Sequence, residues 1–367
     1  MKVVYDHQIF CSQKYGGISR YFFELISRLS SFSGMDAEIV SPLYVNNYIH
    51  HNTRIKVTGL HIPKFSNSAL LLRKLNMPLT RLLINKRRPD IVHETYFNSS
   101  KVATTDSKTV LTVYDMIHEK YPEIFSGMDA TIRRKKEAIL HADHVICISE
   151  QTRKDLLELY QIQPENVSTV YLANSLSKPD NQAPPVIKEP YLFYVGHRTG
   201  HKNFQLLLDA YAASNRLAKD YKLVAFGGGD VTPDEKRILS NRGAPLESLI
   251  CLSGNDEMLV NLYQYAHAYV CPSLYEGFGL PVIEAMSLGC PVVTSNRGSL
   301  LEVAGDAAGF FNPEDSDDLL HALEDIVYSD TRRQQLIALG YKQSERFSWD
   351  RCAQETYDIY KGLVDNK

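Results

Sequence analysis

The chain has 367 residues, enough for about two domains. Hydrophobic residues make up 44% and charged residues 23%, the balance of a globular protein and not of a disordered one. The net charge of −3 and the lack of a dense basic stripe interleaved with aromatics exclude nucleic acid as a partner, and no apolar run approaches the roughly 20 residues that span a bilayer.

Met1-Lys2-Val3-Val4-Tyr5-Asp6 reads as a first strand. It has neither the basic region, the apolar region nor the cleavage site of a signal peptide, so the mature chain is expected to begin near Met1 and to be cytoplasmic. Tyr15-Gly16-Gly17-Ile18 turns the chain into an amphipathic helical pattern, Ile18–Ser30. Strands are then expected at Ala37–Val40, Asp90–His93, Thr109–Tyr114, His144–Ile148 and Ser168–Leu172, with a helix at Thr131–His141. Leu70–Arg88 mixes leucines with Arg73, Lys74, Arg81, Lys86, Arg87 and Arg88. A packed helix with a solvated face is the default for such a pattern, and peripheral contact with an anionic membrane is the sharper alternative. Arg133-Arg134-Lys135-Lys136, on a helix, is expected to be a solvated face.

Residues 177–190 read SKPDNQAPPVIKEP, polar with four prolines and no periodicity. A fresh set of strands follows: Tyr191–Val195, Lys222–Phe226, Leu249–Leu252, Ala268–Cys271, Pro291–Thr294 and Gly309–Phe311. Helical patterns separate them, among them Gln205–Ala213, Glu257–Tyr265 and Asp318–Tyr328. Apolar strands alternating with helices mean βαβ units and buried parallel sheets. The fold class is therefore α/β, with two Rossmann-like domains: 1–180, joined by a C-terminal helix at about 350–367 that packs back on it, and 186–349. The cleft between them is the expected site. The charge divides with the domains. Residues 1–180 carry 23 Lys and Arg against 18 Asp and Glu, a surplus of +5, and residues 181–367 carry 17 against 25, a surplus of −8. The six cysteines form no C-x-x-C pair and read as buried free thiols.

The strongest motif is Pro272–Met286, PSLYEGFGLPVIEAM, which follows the expected strand Ala268–Cys271. Its glycines permit close backbone approach to a ligand, and Pro281 suits the first turn of a helix. A glycine loop feeding a helix N-terminus is an anion-binding arrangement. Glu276 and Glu284 flank it, and ionised carboxylates are strong acceptors for sugar hydroxyls. Val195-Gly196-His197-Arg198-Thr199-Gly200-His201-Lys202-Asn203-Phe204 is a basic loop after another buried strand. Asp315-Ser316-Asp317 is formally D-x-D, but it precedes a helical pattern and reads as a cap.

Glu276 and Glu284, set in EGFGLPVIEAMSLGCPVVTS, resemble the E-x7-E signature of family 4 retaining glycosyltransferases of the GT-B fold. Tyr15–Tyr21 is similar to that family's N-terminal glycine loop, and Val195–Phe204 to its phosphate loop. With the Tyr114–Glu119 run, the resemblance is nearest to the bacterial mannosyltransferase-like branch that builds O-antigen and other surface polysaccharides. The resemblance implies that Glu284 holds the ribose of a nucleotide-sugar, GDP-mannose being the favoured donor. Glu276 with Gly277 and the amides of Phe278, Gly279 and Leu280 would hold its sugar and phosphates. Gly16, Gly17 and Gly196 would line the donor site, and Arg198 and Lys202 would neutralise the diphosphate. His118 would contact donor sugar or acceptor, with His93, Glu94, Asp115 and Glu119 on the acceptor side. The family often has a histidine before the aspartate where this chain has Tyr114 before Asp115. The acceptor would be a saccharide or a polyprenyl-diphosphate-linked saccharide, and no metal or cofactor is implied. The rival readings are a nucleotide-sugar 2-epimerase and a silent sugar-nucleotide-binding scaffold. A NAD-dependent dehydrogenase is weaker, because Gly227-Gly228-Gly229 is not a G-x-G-x-x-G.

Overall fold

The computed structural model describes residues 1–65, 68–103, 106–125, 127–179 and 183–365. Residues 180–182 of the proline-rich segment, the last two residues of the expected C-terminal helix and the Leu70 side chain lie outside the described residues. The chain divides into two compact units: Met1–Leu172 with Ser348–Lys367, and Ala173–Phe347. The division falls ahead of the proline-rich segment, because Asn174 Nδ2 donates to Ser287 Oγ at 2.7 Å and fastens this stretch to the second unit.

The first unit is built on seven strands: β1 (Lys2–Tyr5), β2 (Asp36–Tyr44), β3 (Lys56–His61), β4 (Ile91–Glu94), β5 (Lys108–Val113), β6 (His144–Cys147) and β7 (Val167–Thr169). Their order is β3-β2-β1-β4-β5-β6-β7, with every pairing parallel. β4 and β6 are buried along their whole length, with the short apolar runs Ile91-Val92 and Val145-Ile146-Cys147 flanked by the buried polar residues His93, Glu94 and His144. β3, absent from the sequence expectation, is the half-exposed edge strand KVTGLH, whose polar residues break any such run.

The second unit has six strands: β8 (Tyr191–Val195), β9 (Lys222–Phe226), β10 (Leu249–Leu252), β11 (Ala268–Cys271), β12 (Val292–Ser295) and β13 (Ala308–Phe311). Their order is β10-β9-β8-β11-β12-β13, again all parallel. Each sheet thus reverses its winding beside its first strand, between β1 and β4 and between β8 and β11. A crevice opens at the carboxyl ends of the strands at such a point.

The last helix, Trp349–Asp365, belongs to the first unit and packs there on Gly17–Leu29. Arg28 Nε donates to Asp350 at 2.8 Å across this contact. Tyr360, fully buried, reaches the sheet through Tyr5 Oη at 3.1 Å and His93 Nδ1 at 2.6 Å. The other ring nitrogen of His93 lies 2.8 Å from Thr112 Oγ1. His93 is therefore a core residue joining helix to sheet, not an acceptor contact. Glu94 is equally buried, accepting from the Val102 N–H at 2.9 Å and lying 3.3 Å from His141 Nε2. The resemblance implied an acceptor-side place for both residues; the register instead turns both side chains inward.

Burial pushes the pKa of His93 down to about 3. The unfolded chain takes up this proton near the ordinary value of about 6.5, so below that pH it binds more protons than the folded chain. The contribution of His93 to stability is full above that value and falls as pH drops, by at most about 1.4 kcal/mol per pH unit. Glu94, whose pKa burial raises, acts in the opposite sense. The prediction is therefore a difference in slope. Between about pH 6 and pH 4.5, urea unfolding of His93→Asn should lose stability less steeply than the parent chain. Equal slopes would contradict it.

Candidate functional site

The crevice between β8 and β11 gathers the charged motif residues of the second unit. The chain leaves β8 through Gly196, turns in a short 3-10 segment at Gly200–Lys202, and enters the helix Phe204–Ala213 through Asn203. Asn203 holds a left-handed conformation, and its side chain donates to the Pro313 carbonyl at 2.8 Å. This turn projects Lys202 back toward β11, whose loop carries Glu276. Lys202 Nζ donates to both oxygens of Glu276, at 2.7 and 2.9 Å. Ser273 Oγ donates to the same carboxylate at 2.6 Å, and Ser299 Oγ to the Glu276 carbonyl at 2.7 Å. The Leu274 N–H donates to the His201 carbonyl, tying the two loops by their backbones. The pair is mostly buried, with 23% of the Lys202 side chain and 13% of the Glu276 side chain exposed.

The helix Leu280–Ser287 starts immediately after this pair, with Pro281 in its first turn and Gly279 as its N-cap. Gly279 has φ of +99°, and a Cβ there would sit 2.8 Å from Leu300 Cδ2, so only glycine fits this turn. No side chain caps the helix; Pro281 has no N–H and the Val282 N–H donates to the Gly279 carbonyl at 2.9 Å, so the Leu280 N–H and the positive end of the dipole are what the helix start presents at the crevice. Phe278 turns its ring inward onto Phe347, at 5.5 Å between centroids, and presents backbone. Glu284, one turn in, accepts from Tyr263 Oη at 3.2 Å. Tyr263 is fully buried, and that burial, followed by the Glu284 charge, holds its phenol well above the ordinary range. Glu284 is thereby pinned in orientation by a donor that stays protonated.

Arg198 behaves differently from Lys202. Its side chain is 3% exposed and makes an ion pair with Glu235 at 2.7 Å. Burial, the largest single influence, opposes its charge, but the hydrogen bond it donates to Glu235 and the neighbouring charges together outweigh this and hold the guanidinium pKa above its ordinary value. The loop position read from sequence was right, while the direction of the side chain was not legible there. Glu235, Ser273, Ser299 and Tyr263 were also missed. Of these, only Glu235 carried a local signal: Thr232-Pro233-Asp234-Glu235 forms a capping box for the helix Pro233–Asn241. A cavity of about 520 Å³ lies beside this box, lined by His197, Thr199, Gln205, Thr232 and Asp234. Neither Lys202, Glu276 nor Glu284 lines it.

In the first unit, Gly16 caps the helix Gly17–Leu29, and the Gln13 side chain accepts from the Ser19 N–H at 3.2 Å. A Cβ on Gly17 would meet nothing within 4 Å, so the side-chain face of this residue is open. Asp115 is half-buried and accepts from the Ile117 N–H. Glu119 is 5% exposed, 2.8 Å from the Nζ of a lysine that is itself 1% exposed, Lys135. The basic run at 133–136 is thus not wholly a solvated face. Lys135 lies under the helix Asp129–His141 and also donates to the Asp115 carbonyl at 3.0 Å. This pairing makes Glu119 a structural partner of Lys135 and removes it from the acceptor side. His118 packs on Phe125, and its Nδ1 is buried with no hydrogen-bond partner among the described residues. Burial and then the Lys135 charge lower its pKa.

Among the described residues, no group of three or more His, Cys, Asp or Glu is placed to hold a metal ion. Asp315 accepts from the Asp317 and Asp318 N–H groups and caps the helix Ser316–Val327. The six cysteines are free.

Comparison with known proteins shows the family. The family model for Glycosyltransferase Family 4 matches residues 15–174, and that for glycosyl transferases group 1 matches residues 177–343. The chain belongs to the family 4 glycosyltransferases. It is similar to O-antigen chain mannosyltransferase B of Escherichia coli, 33% identical over 239 residues, which are 62% of each chain. It is also 27% identical over 307 residues to the serotype-specific mannosyltransferase WbdA of Escherichia coli, covering 76% of this chain and 37% of that protein. The chain therefore spans less than two thirds of both relatives. Among solved structures it resembles a sucrose-phosphate synthase from Thermosynechococcus elongatus, with a TM-score of 0.79, 19% identity and full coverage of both chains. That likeness concerns the fold, which is GT-B.

Proposed function

We propose that the chain transfers a hexose, mannose favoured, from a nucleotide-sugar to a saccharide or polyprenyl-diphosphate-linked saccharide in bacterial surface-polysaccharide synthesis. The observation that carries this reading is Lys202 held on Glu276 beside the uncapped N-terminus of Leu280–Ser287. Such a cluster offers one cation and the positive end of a helix, with the Leu280 amide, to a diphosphate, and a carboxylate to sugar hydroxyls. Glu284 accepts the ribose hydroxyls. Bond cleavage puts additional negative charge on the leaving phosphate, and groups already fixed in place stabilise it without reorganising. Transfer proceeds with retention. The bond from the anomeric carbon to the phosphate oxygen breaks, the acceptor oxygen bonds on the same face, and the leaving phosphate takes the acceptor proton. Lys202 and the positive end of the helix supply the positive charge, so no metal is required. The mannosyltransferase names of the two relatives support the choice of sugar.

The reading includes a cytoplasmic location with contact at the inner face of the membrane. In the helix Ser68–Arg87, Leu71, Leu75, Leu79 and Leu82 are exposed, Leu82 at 66%, spaced to form one stripe with Lys74 also exposed. An apolar stripe with basic neighbours suits an anionic lipid surface. Among the described residues, no helix is long and apolar enough to cross a membrane.

The donor assignment is tested by calorimetry with GDP, UDP, ADP and their sugars in excess EDTA. One nucleotide should bind without metal and be lost in Glu284→Ala. Binding of none of them would remove the reading. For the membrane contact, the chain should sediment with phosphatidylglycerol vesicles but not with neutral ones, and Leu75→Glu with Leu79→Glu should abolish this. Failure of the parent chain to sediment would leave the acceptor reading with a soluble saccharide.

A further inference from the structure

Arg198 is the second cation of the β8 loop, yet every one of its five N–H groups is already engaged within the protein. Nε donates to Glu235 Oε1 at 2.7 Å, and Nη2 donates to Glu235 Oε2 at 3.4 Å and to the Asp230 carbonyl at 2.6 Å. Nη1 donates to the carbonyls of Gly227 and Gly229 at 2.8 and 3.0 Å. A guanidinium has five donors in a rigid fork, so none remains for a phosphate.

The three carbonyls it gathers belong to the loop after β9. Gly227, Gly228 and Gly229 have φ of +96°, +76° and +82°, a run that only glycine adopts without strain. The fit is close: a Cβ on Gly228 would lie 3.0 Å from Arg198 Nη1. In a planar trans peptide the N–H points opposite to the preceding carbonyl. With the carbonyls of Gly227, Gly229 and Asp230 turned onto Arg198, the N–H groups of Gly228, Asp230 and Val231 face the other way. None of these three donates to a backbone carbonyl among the described residues. Gly228, Gly229 and Asp230 are exposed. The loop also adjoins the charged pair, because Gly196 lies between them. A Cβ on Gly227 would meet the Gly196 carbonyl at 3.3 Å, and a Cβ on Gly196 would meet Lys202 Cε at 4.0 Å.

From this we infer that Arg198 is a positioning residue: it turns the Gly227–Asp230 loop so that its amides form a second anion-binding edge, beside Lys202, for the phosphate-bearing part of the donor. Backbone amides left without carbonyl partners on one edge of a loop attract anions without any cationic side chain. Glu235 completes the device. It neutralises Arg198, and it also fixes the start of Pro233–Asn241 by accepting from the Thr232 N–H at 2.8 Å. The inference rests on the donor reading above and assigns to Arg198 a role different from the direct phosphate contact that the family resemblance implies.

The test uses the full chain with Arg198→Lys, Gly228→Ala and both together. The probes are the nucleoside diphosphate that the parent chain binds and the corresponding nucleoside, the weaker one followed by saturation-transfer NMR. Lysine keeps the charge but has three donors and no fork. Each single variant should weaken the diphosphate by about ten- to hundredfold, as expected for lost hydrogen bonds to a charged group. The nucleoside should bind as before, which a general loss of folding would not allow. The double variant should be no worse than the poorer single one, because both act on one loop. Arg198→Lys binding within about threefold of the parent, or losses that simply add, would overturn the inference. If Arg198→Lys fails to fold, Gly228→Ala decides alone: unchanged diphosphate binding would overturn it. A parent chain that binds no nucleotide would instead defeat the donor reading itself.

Discussion

One lysine and one glutamate, held on each other at the carboxyl ends of two adjacent parallel strands, set the terms for the rest of the site. Lys202 and Glu276 come from loops that follow β8 and β11, which lie side by side only because the sheet reverses its winding there. A mostly buried ion pair of this kind is poor evidence for added stability, since desolvation offsets much of the attraction. Its worth lies in placing two opposite charges where they need not be reorganised. Ser273 and Ser299 hold the glutamate from its side chain and its backbone, so the pair stays fixed while a hydroxyl or phosphate approaches. The uncapped helix start at Leu280 then adds positive potential on the same side.

The two cations of one loop are used in opposite ways. Lys202 remains partly exposed and in reach of the crevice, whereas Arg198 is buried, neutralised by Glu235 and spent on carbonyl groups. This division follows from side-chain chemistry. A planar fork can collect several carbonyls at fixed angles, and a flexible ammonium can turn toward a substrate. The glycines serve the same division. Gly279 lets the backbone turn into its helix, and Gly228 leaves room for the guanidinium. In the first unit, Lys135 is likewise buried, and its charge is balanced by Glu119 inside the fold.

Most of the architecture was legible in the sequence, because strands buried on both faces are written as continuous apolar runs. β8, β10, β11 and β13 read this way, β4, β6, β9 and β12 carry shorter apolar runs beside polar residues, and β3, half exposed at an edge, did not stand out. The loops carrying Glu276, Glu284, Lys202 and Arg198 were legible from the glycines and the helix-starting proline around them. What was hidden was orientation. Nothing in the order of residues shows that Arg198 points beneath the Gly227–Asp230 loop, or that His93 and Glu94 point into the core beside Tyr360 and His141. Those directions depend on strand register and on partners 30 to 270 residues away, such as Glu235 for Arg198 and Tyr360 for His93, at sequence separations of 37 and 267. Lys135 illustrates the same limit. Four basic residues in a row look alike until the helix is docked and one of them faces Glu119.

The central claim, that the Lys202–Glu276 pair and the Leu280 helix start hold the donor, is tested most directly by a crystal structure of the chain with the nucleotide-sugar it binds. The account predicts phosphate oxygens within about 3 Å of Lys202 Nζ and the Leu280 amide, with sugar hydroxyls on Glu276 and ribose hydroxyls on Glu284. A donor seated elsewhere, with Lys202 and Glu276 still bonded only to each other and to Ser273, would contradict it.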